Sequence, residues 1–487
     1  MWAGARLGAG AALALFCLAT CAARKPVAPE LPFPSRLTWL EQVDWPRAQA
    51  EAVGVLQQYV RVNTSNPPGN EVEGALFLAD WLAREGIEAE IQPLEGADER
   101  ANLVARLKGS GAEPPLCLMH HIDVATADAA AWTHPPFSGH LDAEGYLWGR
   151  GTLDMKGIGI LQMLSMAQLK RLGVPLRRDV VLLAVADEEV DNGGARALAE
   201  RWDEIGCSQV INEGGMGIRD ALVDGVTTFG VSYVEKGALW LRLHASGEPG
   251  HGSTPLDDTA PLRLLAALDA IRAREGRARI SPELHTLLGE VGARAGGLTG
   301  AVLQSPGLTR ALAVGQLMDN PLSRAIITDT VNITGFGGAE EPNVVPSEVW
   351  AQLDTRLLPG TTPEAMLAEL RGVIGDADHY RFEVIHALEA VASPLDDPLY
   401  ESIVRQVRVM WPDAAVGPLV MPGSTDASVL RPLGVHVYGI APFALDPEEL
   451  LGMHGDDERI HVEDLGRGLE LMLRVVLEVA ASDDGAR

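Results

Sequence analysis

At 487 residues the chain is too long for one compact core and implies two or three domains. A hydrophobic share of 47% beside 22% charged residues fits a soluble globular protein with ample core. The net charge of −28 excludes a nucleic-acid partner, which calls for a basic footprint, so an anionic substrate must be drawn in by local positive charge or by metal.

The chain opens on a removable segment. Arg6 precedes an apolar run, Leu7 to Leu18, that is too short to span a bilayer and reads as the core of a signal peptide over residues 1–23. Leu18-Ala19-Thr20-Cys21 resembles a bacterial lipoprotein processing site, which would place a lipid anchor on Cys21. Thr20 departs from the small residue usual before that Cys, and ordinary cleavage near Ala22-Ala23 is the alternative. Either route predicts an exported protein, periplasmic or membrane-anchored if bacterial. Proline-rich residues 24–38 read as a tether. Beyond Cys21 the mature part holds Cys117 and Cys207; Cys117 sits in an apolar run, which favours a buried free thiol over a disulfide.

From Trp39 the first domain begins with a helical pattern, Val53 to Val60, that ends at the loop Asn63–Gly69. Glu71–Glu85 reads as an amphipathic helix, and Glu88–Ile91 and Asn102–Leu107 as short strands. Leu116–Met119 is a continuous apolar run, as expected of a central strand buried on both faces. His120-His121-Ile122-Asp123 follows where ligands gather in open α/β sheets, at a strand's carboxyl end. His121 can bind metal with one nitrogen while Asp123 accepts the other N–H, a spacing that favours His121 over His120.

The densest patch of chemistry is Gly149-Arg150-Gly151-Thr152-Leu153-Asp154-Met155-Lys156-Gly157, three glycines around one acid. Asp154 there is a candidate metal-bridging carboxylate; a solvated surface turn is the alternative. A helix over Gly157–Leu172 leads to the buried strand Val180–Ala186 and then to Asp187-Glu188-Glu189. Three adjacent acids repel one another unless a cation sits there. One carboxylate can then bind metal while its neighbour acts as general base on water. Another αβ unit, Ala195–Ile205 and Gln209–Ile211, ends in Asn212-Glu213-Gly214-Gly215. The pattern of an apolar strand followed by a ligand-type residue thus recurs at 121, 189 and 213.

These residues resemble the co-catalytic zinc hydrolase family of aminoacylases, glutamate carboxypeptidases, acetylornithine deacetylases and succinyl-diaminopimelate desuccinylases. The resemblance spans Leu56 to Leu473 through His121-Ile122-Asp123, Pro135–Gly139, Gly149–Gly157, Asp187-Glu188-Glu189, Asn212-Glu213-Gly214, Glu235-Lys236-Gly237, Gly250-His251-Gly252-Ser253, Asn343–Pro346 and His454-Gly455. It implies two Zn²⁺ per subunit bridged by Asp154, one also held by His121 and Glu213, the other by Glu189 and His454. Co²⁺ or Mn²⁺ could substitute at such oxygen and nitrogen ligands. Glu188 would be the general base, Asp123 would orient His121, and the Asp154–Met155 peptide would be cis.

The implied fold class is α/β: a three-layer zinc-exopeptidase-like catalytic domain with a central mixed sheet, plus an inserted α/β sandwich lid that dimerises. The catalytic domain would occupy 39–235 and 358–487, and the lid 236–357 with a helical insertion over 276–327. Within the lid, Ala238–Ala245 and Val349–Leu357 read as strands and Ala260–Ala273 as a helix. The resemblance implies that His251 reaches the partner protomer's site to stabilise an oxyanion, and that Asn343 and Arg356 contact the substrate's polar end. A salt bridge to Asp354 is the alternative for Arg356. Past the lid, Thr362–Ile374 and Pro398–Trp411 read as helices and Tyr380–Ala390 as a strand. Gly423-Ser424-Thr425-Asp426 opens a further helix whose N–H groups would cradle a carboxylate. The expected reaction is hydrolysis of an amide or peptide bond beside a free carboxylate, in an N-acyl amino acid or a small peptide. Glu213 favours the aminoacylase, desuccinylase and carboxypeptidase S-like members; a glutamate carboxypeptidase or dipeptidase, or an inactive binding protein on the same fold, are the alternatives.

Overall fold

The computed structural model describes residues 35–274, 276–338, 340–375 and 378–483. The expected leader over 1–23, with Cys21, lies outside the described residues, as does the tether as far as residue 34. That tether ends sooner than residue 38. Ser35–Gln42 is a 3-10 helix whose Leu37 and Leu40 are buried in the main core, three positions apart and so on one face.

The larger part is a mixed ten-stranded sheet with helices on both faces. At its centre Leu116–His121 lies parallel to Val180–Val185 on one side and to Gln209–Asn212 on the other. All three strands are buried throughout, which explains their unbroken apolar runs. Because they run parallel, their carboxyl ends open on one crevice. Helix Lys156–Leu172 is buried on every side as far as Leu169, and Gly173 closes it at φ 66°.

Among the strands of this sheet with four or more residues, three escape the sequence reading: Thr228–Glu235, Ala415–Met421 and His436–Gly439. Pro418 disguises the second, since proline cannot donate to a ladder. Ala415–Met421 pairs only with Thr228–Glu235 among the described strands, so it is an edge strand where proline is tolerated. The helix expected over Ala195–Ile205 is two short ones, Gly193–Ala199 and Trp202–Ile205.

A second, antiparallel sheet has the spatial order Thr330–Gly337, Glu348–Leu357, Gly237–Ser246, Tyr380–Leu388. Its inward residues alternate with outward ones along Glu348–Leu357 and pack on helices Ala260–Ala273 and Pro363–Ile374. Tyr380–Leu388 pairs with Gly237–Ser246, so this part continues to residue 388 and not to 357. Pro359-Gly360 makes the turn between Glu348–Leu357 and helix Pro363–Ile374. The insertion over 276–327 packs its Leu284, Leu288 and Val291 around Val226 and Ala415, against the outer edge of the first sheet.

Cys117 and Cys207 form a disulfide, which corrects the expectation of a free thiol. Leu116 pairs with Gln209 in the ladder, so the turn before Gln209 brings Cys207 beside Cys117, with 5.9 Å between Cα atoms.

Candidate metal centre

The central strands deliver their terminal residues to the crevice. His120 and His121 close the first strand, and neighbouring side chains on a strand point to opposite faces. His120 is accordingly buried against Gln162, with its Nδ1 3.0 Å from Oε1 of that residue, while His121 turns to the acids. Asp154 stands on the glycine loop just before helix Lys156–Leu172. Gly151 there has φ 89°, and a Cβ on Gly157 would meet Thr152 O at 2.1 Å, so both positions require glycine. The Asp154–Met155 peptide is cis, as the resemblance implies.

Five side chains converge. Nε2 of His121 lies 3.1 Å from Oδ1 of Asp154 and 3.7 Å from Oε1 of Glu213. Nε2 of His454 lies 3.0 Å from Oδ2 of Asp154 and 3.1 Å from Oε2 of Glu189. The two oxygens of Asp154 therefore face different histidines. Glu188 borders the first group: single ligand atoms of His121, Glu188 and Glu213 all lie within 4.8 Å of one another.

Electrostatics show what the cluster lacks. Burial pushes Glu188 and Glu213 well above the usual carboxylate range, and neighbouring acids push them further. Hydrogen bonds to Asp154 and Glu189 raise His454 to about 10. Burial opposes ionisation of Asp154, but hydrogen bonds from both histidines outweigh it and hold its pKa low. Among the described residues no Lys or Arg pairs with Asp154, Glu188, Glu189 or Glu213, and Oε1 of Glu189 is buried without a hydrogen-bond partner. A cluster of anionic oxygens and imidazoles without sulfur or a fixed cation is the donor set of a divalent metal site. The residues fit a metal.

Asp123 does take the other N–H of His121, but on its main-chain oxygen. Nδ1 of His121 donates to the main-chain oxygen of Asp123 at 2.8 Å, while the Asp123 carboxylate stays 3.6 Å away. That carboxylate accepts the main-chain N–H of Glu188 on Oδ1 at 3.2 Å and of Glu189 on Oδ2 at 3.1 Å. It thus holds the acidic turn. Asn66 joins in, donating from Nδ2 to Asp123 and to Asp187, each at 2.9 Å. Arg100 pairs with Asp187, whose φ of 68° sets the sharp exit from the strand. Sequence reasoning missed Asn66 and Arg100 because neither stands in a motif with the acids they support.

The lid candidates stay apart from this cluster. His251 is exposed on a two-stranded ribbon, where Val344 is its partner and Gly252 N donates to Asn343 O. Its ring bonds to Ser253. Arg356 makes a forked pair with Asp354 at 2.8 and 3.2 Å, the intra-lid bridge that was the alternative. Gly423 and Ser424 lie in a loop, and the helix expected there is a single turn, Ala427–Leu430. Thr425 is buried, donates to Glu235 and accepts from Asn212 at 3.3 Å, so its hydroxyl is engaged within the protein. The adjacent Asp426, also buried, accepts from Asn192 at 3.1 Å and adds to the field that raises Glu188.

A family model described as Peptidase family M20/M25/M40 matches residues 117–478. The chain is 26% identical over 443 residues to Aminoacylase-1 of Sus scrofa, covering 88% of this chain and 95% of that one. It is 28% identical over 391 residues to the N-fatty-acyl-amino acid synthase/hydrolase PM20D1 of Homo sapiens, covering 77% and 76%. Among solved structures, the M20 family metallo-carboxypeptidase Sso-CP2 from Sulfolobus solfataricus superposes with a TM-score of 0.67 at 18% identity, over 88% of this chain and 99% of its own. Human carnosine dipeptidase 1 gives 0.65 at 17% identity, over 92% and 99%.

Proposed function

The chain belongs to peptidase family M20/M25/M40 and is a metal-dependent hydrolase, and from that premise we propose that it cleaves N-acyl amino acids with two zinc ions and Glu188 as general base. The observation that carries this reading is the pair of Asp154 oxygens, each facing a different histidine, with Glu188 alongside. His121 and Glu213 would hold one metal, Glu189 and His454 the other, with Asp154 between them. Zinc bound there supplies Lewis acidity toward the scissile carbonyl and makes water a better nucleophile. Glu188 takes the proton of the attacking water and passes it to the leaving amine. Asp123 keeps the main chain of Glu188 and Glu189 in place for this. In a homodimer His251 would reach the partner's site to stabilise the oxyanion, while Asn343 and Arg356 would contact the substrate's polar end.

The names of two relatives, an aminoacylase and an N-fatty-acyl-amino acid hydrolase, support N-acyl amino acids as the substrate class. Glu213 agrees with that branch by resemblance. Export is supported by the apolar run Leu7–Leu18 and by the disulfide, which suits an oxidising compartment. Whether Cys21 carries lipid is decided by intact mass.

The deciding measurement is metal content together with release of free amino acid from a panel of N-acyl amino acids and dipeptides. Two zincs and faster turnover of acyl amino acids are expected; faster dipeptide turnover would make the protein a dipeptidase instead. Glu188→Gln should keep both metals and lose about 10²- to 10⁴-fold in kcat. Full activity in that variant would remove Glu188 from the mechanism.

A further inference from the structure

Glu458 is wholly buried, four positions beyond His454, and no part of the mechanism above uses it. Its two oxygens are saturated by donors from one loop. Oε2 accepts from Nη1 of Arg150 at 2.8 Å and from Gly151 N at 2.9 Å. Oε1 accepts from Leu153 N at 2.7 Å and from Asp154 N at 3.2 Å. The main chain repeats the link, with Gly149 N donating to Glu458 O at 2.9 Å. Arg150 then reaches back and donates from Nη2 to Gly455 O at 2.8 Å. Beyond Glu458 the ladder continues, Arg459 opposite Trp148.

We infer that Glu458, paired with Arg150, is a positioning residue that clamps the Asp154 loop to the His454 loop and so presets the ligand between the metals against the histidine it faces. The inference rests on the metal reading above and extends it to the groups behind the ligands. A buried carboxylate is costly unless it is both paired and hydrogen-bonded. Here the compensation comes from three consecutive-loop N–H groups and one guanidinium, so removing the carboxylate frees the backbone that aims Asp154. His454 needs the same support from its own side: it sits at φ 55° on an exposed loop, and Arg150 holds the next carbonyl. Groups that orient ligands in this manner commonly affect metal affinity as strongly as activity.

Glu458→Gln tests the clamp because it keeps the shape while an NH₂ replaces one oxygen, facing two donors with a third and fourth. The protein is stripped with a chelator, and zinc affinity is measured by competition for wild type, Glu458→Gln and Arg150→Gln. Glu458→Gln should bind zinc about 10- to 100-fold more weakly. Arg150→Gln should weaken binding less, since the three N–H bonds survive. Excess zinc should restore much of the kcat of Glu458→Gln while KM stays near the wild-type value. If Glu458→Gln binds zinc as tightly as wild type, the clamp is overturned although the metal reading stands; if wild type binds no metal, the metal reading itself falls. Should Glu458→Gln not fold, amide exchange on metal-free wild type decides. The N–H groups of Gly151, Leu153 and Asp154 should exchange slowly before zinc is added; fast exchange that slows only on zinc addition overturns the inference.

Discussion

Nε2 of His454 lies 3.0 Å from Oδ2 of Asp154, on the oxygen that His121 does not face. One carboxylate thus separates two histidines that come from distant parts of the chain. Asp154→Ala should empty both proposed metal positions. His121→Ala and His454→Ala should each leave about one metal per chain, measured by elemental analysis after gel filtration. Equal loss from all three variants would mean that the positions are not independent in the way the geometry suggests.

Asp123 supports the acidic turn, and His121 takes its tautomer from a main-chain carbonyl. Asp123→Ala should therefore keep the metal proposed for His121, yet lower kcat by about 10- to 100-fold through displacement of Glu188 and Glu189. Metal content and kcat measured on one preparation check this. Metal loss matching that of His121→Ala would return Asp123 to the role of orienting the imidazole through its carboxylate.

Lys236, at the start of the lid, is buried and donates to Ala325 O at 3.0 Å, Thr328 O at 2.9 Å and Thr330 Oγ1 at 3.1 Å. Burial lowers its pKa to about 8, against the pull of Asp329. The unfolded chain keeps that proton up to about pH 10.4. Between about pH 8 and 10.4 the unfolded state therefore binds more protons, and stability from this group rises with pH. Below pH 8 both states are charged and the burial penalty is present in full. Denaturant melts of metal-free wild type and Lys236→Met should diverge across this window, wild type gaining up to about 3 kcal/mol on the variant. A flat difference would show that Lys236 titrates normally.

The Cys117–Cys207 bridge ties the strand that ends in His121 to the turn preceding the strand that leads to Glu213. Thiol titration of the denatured, unreduced protein should find neither Cys117 nor Cys207 free, and reduction should expose both. The double variant Cys117→Ala/Cys207→Ala should lose about 2–4 kcal/mol, read from denaturant midpoints. Two free thiols in wild type purified from an oxidising compartment would remove the bridge, and with it one support for export.

Four of the five proposed ligands are legible in the sequence because each follows a local mark, an apolar run that ends at His121, Glu189 or Glu213 or a glycine loop around Asp154, whereas His454 has none. Those marks are local consequences of burial on both faces of a parallel strand, and a single chain displays them without a fold. The same holds for the lid strand Glu348–Leu357, where alternation reports one buried face. Periodicity does not report which strand lies beside which. Only the tertiary structure could bring Cys207 to Cys117, draw Tyr380–Leu388 into the second sheet, or admit a strand through Pro418 at an edge. The supports of the ligands depend on it most. Asn66, Arg100 and Glu458 bear on Asp123, Asp187 and Asp154 across long stretches of chain, and a hydrogen bond between remote residues leaves no spacing to read. Residue type and local burial mark what can bind a metal, whereas the packing of the chain selects what holds those ligands still.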